Sequence, residues 1–492
     1  MMQDWLAAQA YATPEGIALI AEGEHWTYRT LHQRVGQLAG ALHRQGVRPG
    51  DLVGTLLPNS AAYVFLTHAL ARLKAVLIPL NTRLTAAELG YQLRATNAQY
   101  LIFAESYREI STGLGDLVTL CALDDLMRMD AVPIMEGTVD LDALQAIVFT
   151  SGTTGYPKGA SITFGNQFWS ALGSAYRIGT LPDDRWLCCL PLFHIGGLAI
   201  LMRCCLYGTA VVLQNGFEVE AVTTAIRQHQ VSLISLVPTM VYRMLKQPEA
   251  ASALSQVRLV LIGGAATSAD LLERCAALKI KASPTYGLSE ACSQVVTMLP
   301  EEARRKPNSV GKPLLFSRVE IVDQNDQPVP PNTYGEVVVS GKTIMAGYYD
   351  DLQATDRVLR EGKLHTGDIG YLDEDGDLFL VQRRSDLIVS GGENVYPAEV
   401  EGALCAHPAV EAACVVGIPD PEWGQRVGAL VVLKPDADLS EADLLGFARQ
   451  RLAGYKQPRV LHFVPALPMT ASGKIQRRLA AEWLKDHAHD QG

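Results

Sequence analysis

The pattern that most narrows the fold is a repeated alternation of amphipathic helix and short apolar run. "TYRTLHQRVGQLAGALHRQG" places Leu31, Val35, Leu38 and Leu42 on one helical face and stops at Gly46, a residue suited to ending a helix. "DLVGTLLP" follows as a buried strand and a second helix leads to "AVLIPLN", which predicts a β-α-β unit. "ALQAIVFT", "VSLISLVPT" and "VRLVLIGGA" are further runs of the kind that parallel strands covered on both faces require. The predicted class is therefore α/β. From Gly335 the texture changes: "GEVVVSGKTIMAGYY" and "GDIGYLDEDGDLFLV" alternate and are broken by Gly and Asp, which predicts antiparallel strands and hairpins. After Arg384 comes a compact tail with the strand-like "EAACVVGIP" and "GALVVLKP", then a helix ending near "LAGYKQP". The expectation is a large N-terminal domain of α/β sheets with a β-rich subdomain, residues 1–384, and a small mobile α+β domain, residues 385–492. A chain of 492 residues, 48% of them hydrophobic, has enough apolar material for two cores.

One stretch, "WLCCLPLFHIGGLAILMRCCLYGTAVVL", is apolar for long enough to suggest a membrane span. Pro191, His194, two adjacent glycines and Arg203 interrupt it, so a buried helix of a large core is expected instead. A net charge of -10 gives no basic field for wrapping nucleic acid. Nine cysteines without a C-x-x-C pair fit neither a disulfide framework nor a zinc site, which points to a reducing cytoplasm. "MMQDWLAAQAYATPEG" has no basic n-region with an apolar core, so no secretory leader is expected.

Within this frame lies "FTSGTTGYPKGA", Phe149 to Ala160. Amides gathered by glycine, hydroxyl donors and one ammonium make an anion cradle, most often for phosphate. A Walker-type loop would end in Gly-Lys-Ser/Thr, whereas here Lys158 follows Pro157 and precedes Gly159. The kinase and GTPase readings lose their spacing. Taken alone, the run also reads as a Gly/Thr-rich surface turn.

"TSGTTGYPKG", "YGLSE", "HTGDIG", "DLIVSGGENVYPAEVE" and "SGKIQRR" follow one another in that order across the chain. Together they resemble the acyl- and aryl-CoA synthetases of the adenylate-forming superfamily, over nearly the whole length. The resemblance implies that a carboxylate attacks the α-phosphate of ATP to give an acyl-adenylate and pyrophosphate, after which the thiol of coenzyme A displaces AMP. It assigns Thr150, Ser151, Gly152, Thr153, Thr154 and Lys158 to the departing pyrophosphate. Gly264, Ala265, Tyr286 and Gly287 are assigned to the adenine side, Ser289 to the α-phosphate, and Glu290 with Thr154 to magnesium. Asp368 and Arg383 are implied as ribose contacts, although "TGDIG" also suits a plain turn. Lys474 is implied as the lysine that bridges carboxylate and α-phosphate, and Ser390, Gly391 and Gly392 as the lining of the pantetheine tunnel. Gln382 stands where a glycine usually precedes the arginine, and Ser385 where the hinge usually carries Asp or Lys.

The acid should be chosen by the middle of the large domain. "TFGNQFWSALGSA", "WLCCLPLFHIGGLAILMRCCLYG" and "SLVPTMVYRML" are similar to the o-succinylbenzoate-CoA ligases of menaquinone and phylloquinone synthesis. That acid has two carboxylates, and the resemblance makes Arg203 a candidate for the one that does not react. A structural ion pair or a side chain snorkelling out of the core would equally account for Arg203. His194 resembles the gate beside the acyl site, with a satisfied core histidine as the other reading. Gly196 stands where the related ligases often carry serine. A CoA ligase for another aromatic or medium-chain acid, and an adenylation protein that loads a carrier, stay open. Self-association into a homo-oligomer is left open too.

Overall fold

The structure, a computed structural model, describes residues 2–150, 157–264, 267–306, 308–383, 388–390, 393–395, 397–420, 423–435, 437–452, 454–470 and 474–487. The chain divides into two compact units: Met1–Glu320 with Val338–His365 and Gly376–Leu378, and Ile321–Val337 with Thr366–Asp375 and Phe379–Gly492.

The first unit contains two mainly parallel sheets, as the apolar runs predict. In the nine-stranded sheet the order is Lys312–Pro313, Ser293–Thr297, Ala282–Leu288, Leu259–Ile262, Leu233–Leu236, Arg185–Cys188, Ala210–Leu213, Ile17–Ala21 and Glu24–Thr27. Strands from Ala282–Leu288 to Ile17–Ala21 pair in parallel, and the pairings at the two edges are antiparallel. The six-stranded sheet runs Lys158–Thr163, Leu144–Thr150, Val76–Pro79, Leu52–Leu56, Tyr100–Phe103 and Thr119–Ala122, parallel except for its first pairing.

Local chemistry explains the elements. Helix Tyr28–Gln45 starts where the Thr27 hydroxyl accepts the Thr30 N–H, and it ends at Gly46, whose φ of 111° is costly for any residue with a Cβ. Ser60 caps helix Ala61–Leu73 in the same way, and the strands on either side of that helix pair in parallel from Leu52 opposite Val76. The predicted β-α-β unit is thus present.

The apolar stretch from Trp186 is different from the single buried helix expected of it. It forms the strand Arg185–Cys188, the helix Ile195–Tyr207 and the strand Ala210–Leu213, with Gly208 at φ 72° turning the chain between the last two. Among the described residues no helix is long and apolar enough to cross a membrane.

Both sheets contain a reversal of strand order. The chain steps from Arg185–Cys188 to one side and then places Leu233–Leu236 on the other; Leu52–Leu56 likewise has Val76–Pro79 and Tyr100–Phe103 as its two neighbours. Crevices outside the carboxyl ends of strands at such points are where open α/β sheets hold their ligands.

The β-rich stretch after Gly335 contains the strands Gly335–Gly341, Lys363–Leu372 and Leu378–Arg383, whose residues are divided between the units. The second unit has its own sheet in the order Glu393–Val395, Ile388–Ser390, Gly424–Leu433, Val410–Asp420, with Val460–Phe463 parallel to Gly424–Leu433. Val400, Leu404, Val415, Val431 and Leu444 form one buried cluster of this unit, and Cys414, Leu430, Ala480 and Leu484 another. That is the α+β pattern expected of the tail.

Candidate active site

The strands on either side of the glycine-rich run pair antiparallel. Lys158 lies opposite Thr150 in the antiparallel pair Leu144–Thr150 and Lys158–Thr163, so the register presents a hydroxyl and an ammonium side by side. Ser151, Gly152, Thr153 and Thr154 lie outside the described residues.

A third segment supports the hairpin. Ser161 N–H donates to Gly347 O at 2.9 Å, Ala346 N–H to Ser161 O at 2.9 Å and Tyr349 N–H to Gly159 O at 2.8 Å, with Ala160 bridged to Tyr348. Tyr348 is thereby set beside the site. Its hydroxyl donates to Glu290 Oε1 at 2.9 Å, and Lys158 Nζ lies 5.4 Å from its ring centroid, a cation-π distance. Thr150 Oγ1 donates to the same Glu290 oxygen at 3.3 Å. Oε2 of Glu290 receives no hydrogen bond from the described residues, which suits a half-buried carboxylate to a hard cation. Sequence reasoning missed Tyr348, since "MAGYYD" carries only the texture of a strand.

"YGLSE" runs off the strand Ala282–Leu288 into the short turn Ser289–Ala291, with Tyr286 9% exposed on the strand. Gly287 is required there: a Cβ would sit 1.5 Å from Ser293 O. Cys292 and Ser293 both have positive φ, 52° and 84°, so the turn that carries Glu290 is held in a costly conformation. Gly263 and Gly264 follow the strand Leu259–Ile262, and Gly264 has φ 78°. Ala265 lies outside the described residues.

The segment expected to choose the acid begins where Arg185–Cys188 ends, at the reversal of the nine-stranded sheet. Asn59, at the reversal of the other sheet, reaches across to it. The Asn59 amide donates to Leu190 O at 2.9 Å and to Gln214 O at 3.1 Å, and its oxygen accepts Leu192 N–H at 2.9 Å. This loop then delivers His194 as the residue before helix Ile195–Tyr207. His194 is exposed, with its ring 4.7 Å from that of Phe193, so it is no core histidine. Gly197 is needed because a Cβ would meet Pro191 O at 2.4 Å, whereas at Gly196 it would make an ordinary 3.5 Å contact with Leu190.

Arg203 lies farther along the same helix, about 12 Å by helical rise from its start. It is 3% exposed, which excludes snorkelling, and among the described residues no carboxylate pairs with it. Nη2 donates to Ser170 Oγ at 3.2 Å, the ring of Trp186 is 5.8 Å away, and Nε has no partner. Ser170 in turn donates to Cys292 O at 2.8 Å, two residues past Glu290. Burial lowers the guanidinium pKa, and only Tyr207 and the thiols of Cys292 and Cys204 oppose that shift. Those thiols are themselves pushed up to about 12 by burial and stay neutral. The ion-pair reading of Arg203 therefore fails, leaving a buried cation without an anion.

The second unit holds the remaining candidates. Asp368 is 9% exposed and lies within the strand Lys363–Leu372, so it is not a plain turn residue. Just before it Gly367, at φ 71°, donates its N–H to Glu336 Oε1 at 3.0 Å. Arg383 closes the strand Leu378–Arg383. Ser390 is buried and pairs with Glu393, while Gly391, Gly392 and Ser385 lie outside the described residues. Lys474 is exposed, and its carbonyl accepts Thr470 N–H at 2.7 Å.

Comparison with known proteins finds relatives over nearly the whole chain. Residues 6–349 match the family model of the AMP-binding enzymes, and residues 399–474 that of the AMP-binding enzyme C-terminal domain. The 2-succinylbenzoate-CoA ligase of Geobacillus kaustophilus (strain HTA426) is 41% identical over 477 residues, 97% of each chain. The o-succinylbenzoate CoA synthetase of Bacillus subtilis, in complex with its acyl-adenylate intermediate OSB-AMP, superimposes with a TM-score of 0.90 at 38% identity, over 97% of this chain and 98% of that one. With ATP and magnesium ion the TM-score is 0.91, at 38% identity over 97% and 99%. A double variant of that enzyme bound with its product analogue OSB-NCoA gives 0.76, at 38% identity over 97% of each.

Proposed function

The chain belongs to the AMP-binding enzyme family, and from that premise we propose that it is an AMP-forming 2-succinylbenzoate-CoA ligase of menaquinone synthesis. The observation that supports the choice of acid is Arg203, a buried guanidinium with no carboxylate beside it among the described residues, tied through Ser170 to the turn that holds Glu290. A dicarboxylic acid supplies the missing anion.

In the first step one carboxylate oxygen of the acid bonds to the α-phosphorus of ATP as the bond to the pyrophosphate oxygen breaks. Thr150 and Lys158, with Ser151 to Thr154, donate to the charge that grows on the leaving group. Glu290 with Thr154 would hold magnesium, which would supply positive charge against the phosphates. Asp368 and Arg383 hold the ribose, Tyr286 covers adenine, and Lys474 lies between the two reacting anions. In the second step the sulfur of coenzyme A, having lost its proton, bonds to the acyl carbon, and AMP leaves as the carbon-oxygen bond breaks. Ser390, Gly391 and Gly392 line the path of the thiol, and the 385–492 domain turns about Ser385 between the steps. The cytoplasm is the proposed location, supported by nine cysteines that form no disulfide among the described residues, eight of them buried and Cys405 exposed.

The reading is tested by AMP production from ATP with 2-succinylbenzoate, benzoate, other aromatic acids and medium-chain acids, each with and without coenzyme A. CoA-dependent AMP from 2-succinylbenzoate above all others is the expected result; equal or better turnover of a monocarboxylic acid would reject it.

Tyr348 gives a second test. Tyr348→Phe keeps the ring beside Lys158 and removes the hydroxyl from Glu290, so acyl-adenylate formation should slow about tenfold, the usual scale for a hydrogen bond to a charged group. The concentration of magnesium needed for half-maximal rate should rise with it. A Phe variant with wild-type rate and magnesium dependence would remove Tyr348 from the site.

A further inference from the structure

We infer that Arg477 and Glu401 are positioning residues for Lys474, fastening its hairpin to the body of the second unit. The inference rests on the reading of Lys474 as the lysine of the adenylation step.

Lys474 stands on a narrow ladder. Thr470 N–H donates to Lys474 O at 2.7 Å, Lys474 N–H to Thr470 Oγ1 at 3.1 Å and Gln476 N–H to Pro468 O at 2.8 Å, with Met469 bridged to Ile475. The Gln476 amide adds a bond to Met469 O at 2.8 Å. These bonds give the hairpin its shape, while Leu467 and Ile475 seat its apolar side on the buried cluster of Cys414, Leu430 and Leu484. A two-stranded ribbon of this size is marginal by itself.

Apolar contact leaves angle loosely defined, and the directional attachment comes one residue later. Arg477 begins the helix Arg477–His487 and reaches the helix Pro397–Cys405, where its guanidinium grips Glu401 at two points, Nη1 to Oε1 and Nη2 to Oε2, the latter at 3.0 Å. Nη1 also donates to Val415 O at 2.8 Å, and Glu401 Oε1 accepts Val415 N–H at 2.8 Å. One planar fork thus joins the strand Val410–Asp420 and two helices at the foot of the lysine hairpin. The pair is largely removed from water, with side chains 23% and 16% exposed. A two-point guanidinium-carboxylate contact fixes angle as well as distance, which a lysine could not do. Lys474 then moves with the unit as one piece, and its ammonium arrives at a set position whenever the unit does.

The test is a double-mutant cycle in the full-length enzyme. Glu401→Gln keeps the shape and removes the charge. Acid-dependent ATP-pyrophosphate exchange should fall roughly 10- to 100-fold in kcat, since displacement of a reacting group by about 1 Å costs about a hundredfold. KM for ATP and for the acid should change by less than about twofold, and thioester formation from supplied acyl-adenylate should stay at the wild-type rate. Arg477→Lys should fall between wild type and Glu401→Gln. In the Lys474→Ala background Glu401→Gln should have no further effect, because it acts through the lysine. Losses shared equally by both half-reactions, a wild-type exchange rate in Glu401→Gln, or a full additional loss in the double variant would overturn the positioning role while leaving Lys474 in place. Unchanged exchange in Lys474→Ala alone would instead remove the premise, and the inference with it.

Discussion

Replacing Lys474 by alanine is expected to slow acyl-adenylate formation by about a hundred- to a thousandfold, the usual consequence of deleting one preorganised donor to charge in a transition state. Two anions must approach in that step, the carboxylate of the acid and the α-phosphate of ATP, and a cation between them lowers their repulsion most at the moment the new bond forms. The loss should therefore appear in kcat and leave the binding of ATP largely unaltered. In the second step the α-phosphate departs with AMP, and the residues proposed to guide the thiol are Ser390 to Gly392. Thioester formation from supplied acyl-adenylate should stay close to wild type. Pyrophosphate release and thioester formation, measured separately, decide the matter. A parallel fall in both would show that Lys474 matters to the fold or to both conformations, and the assignment would be withdrawn.

The second large effect concerns the acid. Arg203→Leu should weaken use of 2-succinylbenzoate by roughly 2 to 5 kcal/mol, the range seen when one partner of a desolvated charge pair is removed. Arg203 is a buried cation whose Nε has no partner among the described residues, so leucine removes a desolvation cost as well as a contact. The variant should for that reason fold as well as wild type or better. An analogue whose aryl carboxylate is replaced by hydrogen should lose little, because it brings no second anion. Arg203→Lys should recover part of the activity, an ammonium lacking the planar fork. The ratio of kcat/KM for the two acids is the measurement, and equal losses for both would return Arg203 to a structural role.

How far the sequence reaches depends on whether a signal is local. Helix Tyr28–Gln45 was readable because its apolar period and Gly46 lie within twenty residues, and the strands of the parallel sheets because each is a short apolar run. Hydrophobicity alone could not divide the stretch from Arg185 to Leu213, where strand and helix are equally buried, and a single helix was expected in place of three elements. In the site, glycine-rich motifs announce themselves. Thr150, Lys158 and Glu290 were named from motifs, and the structure brings them together with Tyr348, which no motif marked. Asn59 likewise carries no mark in the sequence, because its partners Leu190, Leu192 and Gln214 are more than a hundred residues away. Contacts of that range leave no trace in spacing.

That asparagine has a consequence for redesign. The hairpin proposed to grip phosphate belongs to the six-stranded sheet, while His194 precedes and Arg203 lies on the helix that follows a strand of the other. New acid pockets can in principle be written into helix Ile195–Tyr207 without rewriting the ATP hairpin, and Gly196, which has room for a side chain, is the natural first position to vary. Asn59 is the exception to that independence. It supplies two donors and one acceptor at a junction between sheets, and no other side chain of its size offers the same set. Libraries that diversify the acid loop should keep Asn59 constant, because its loss would shift the whole pocket at once and hide whatever the designed substitutions had achieved.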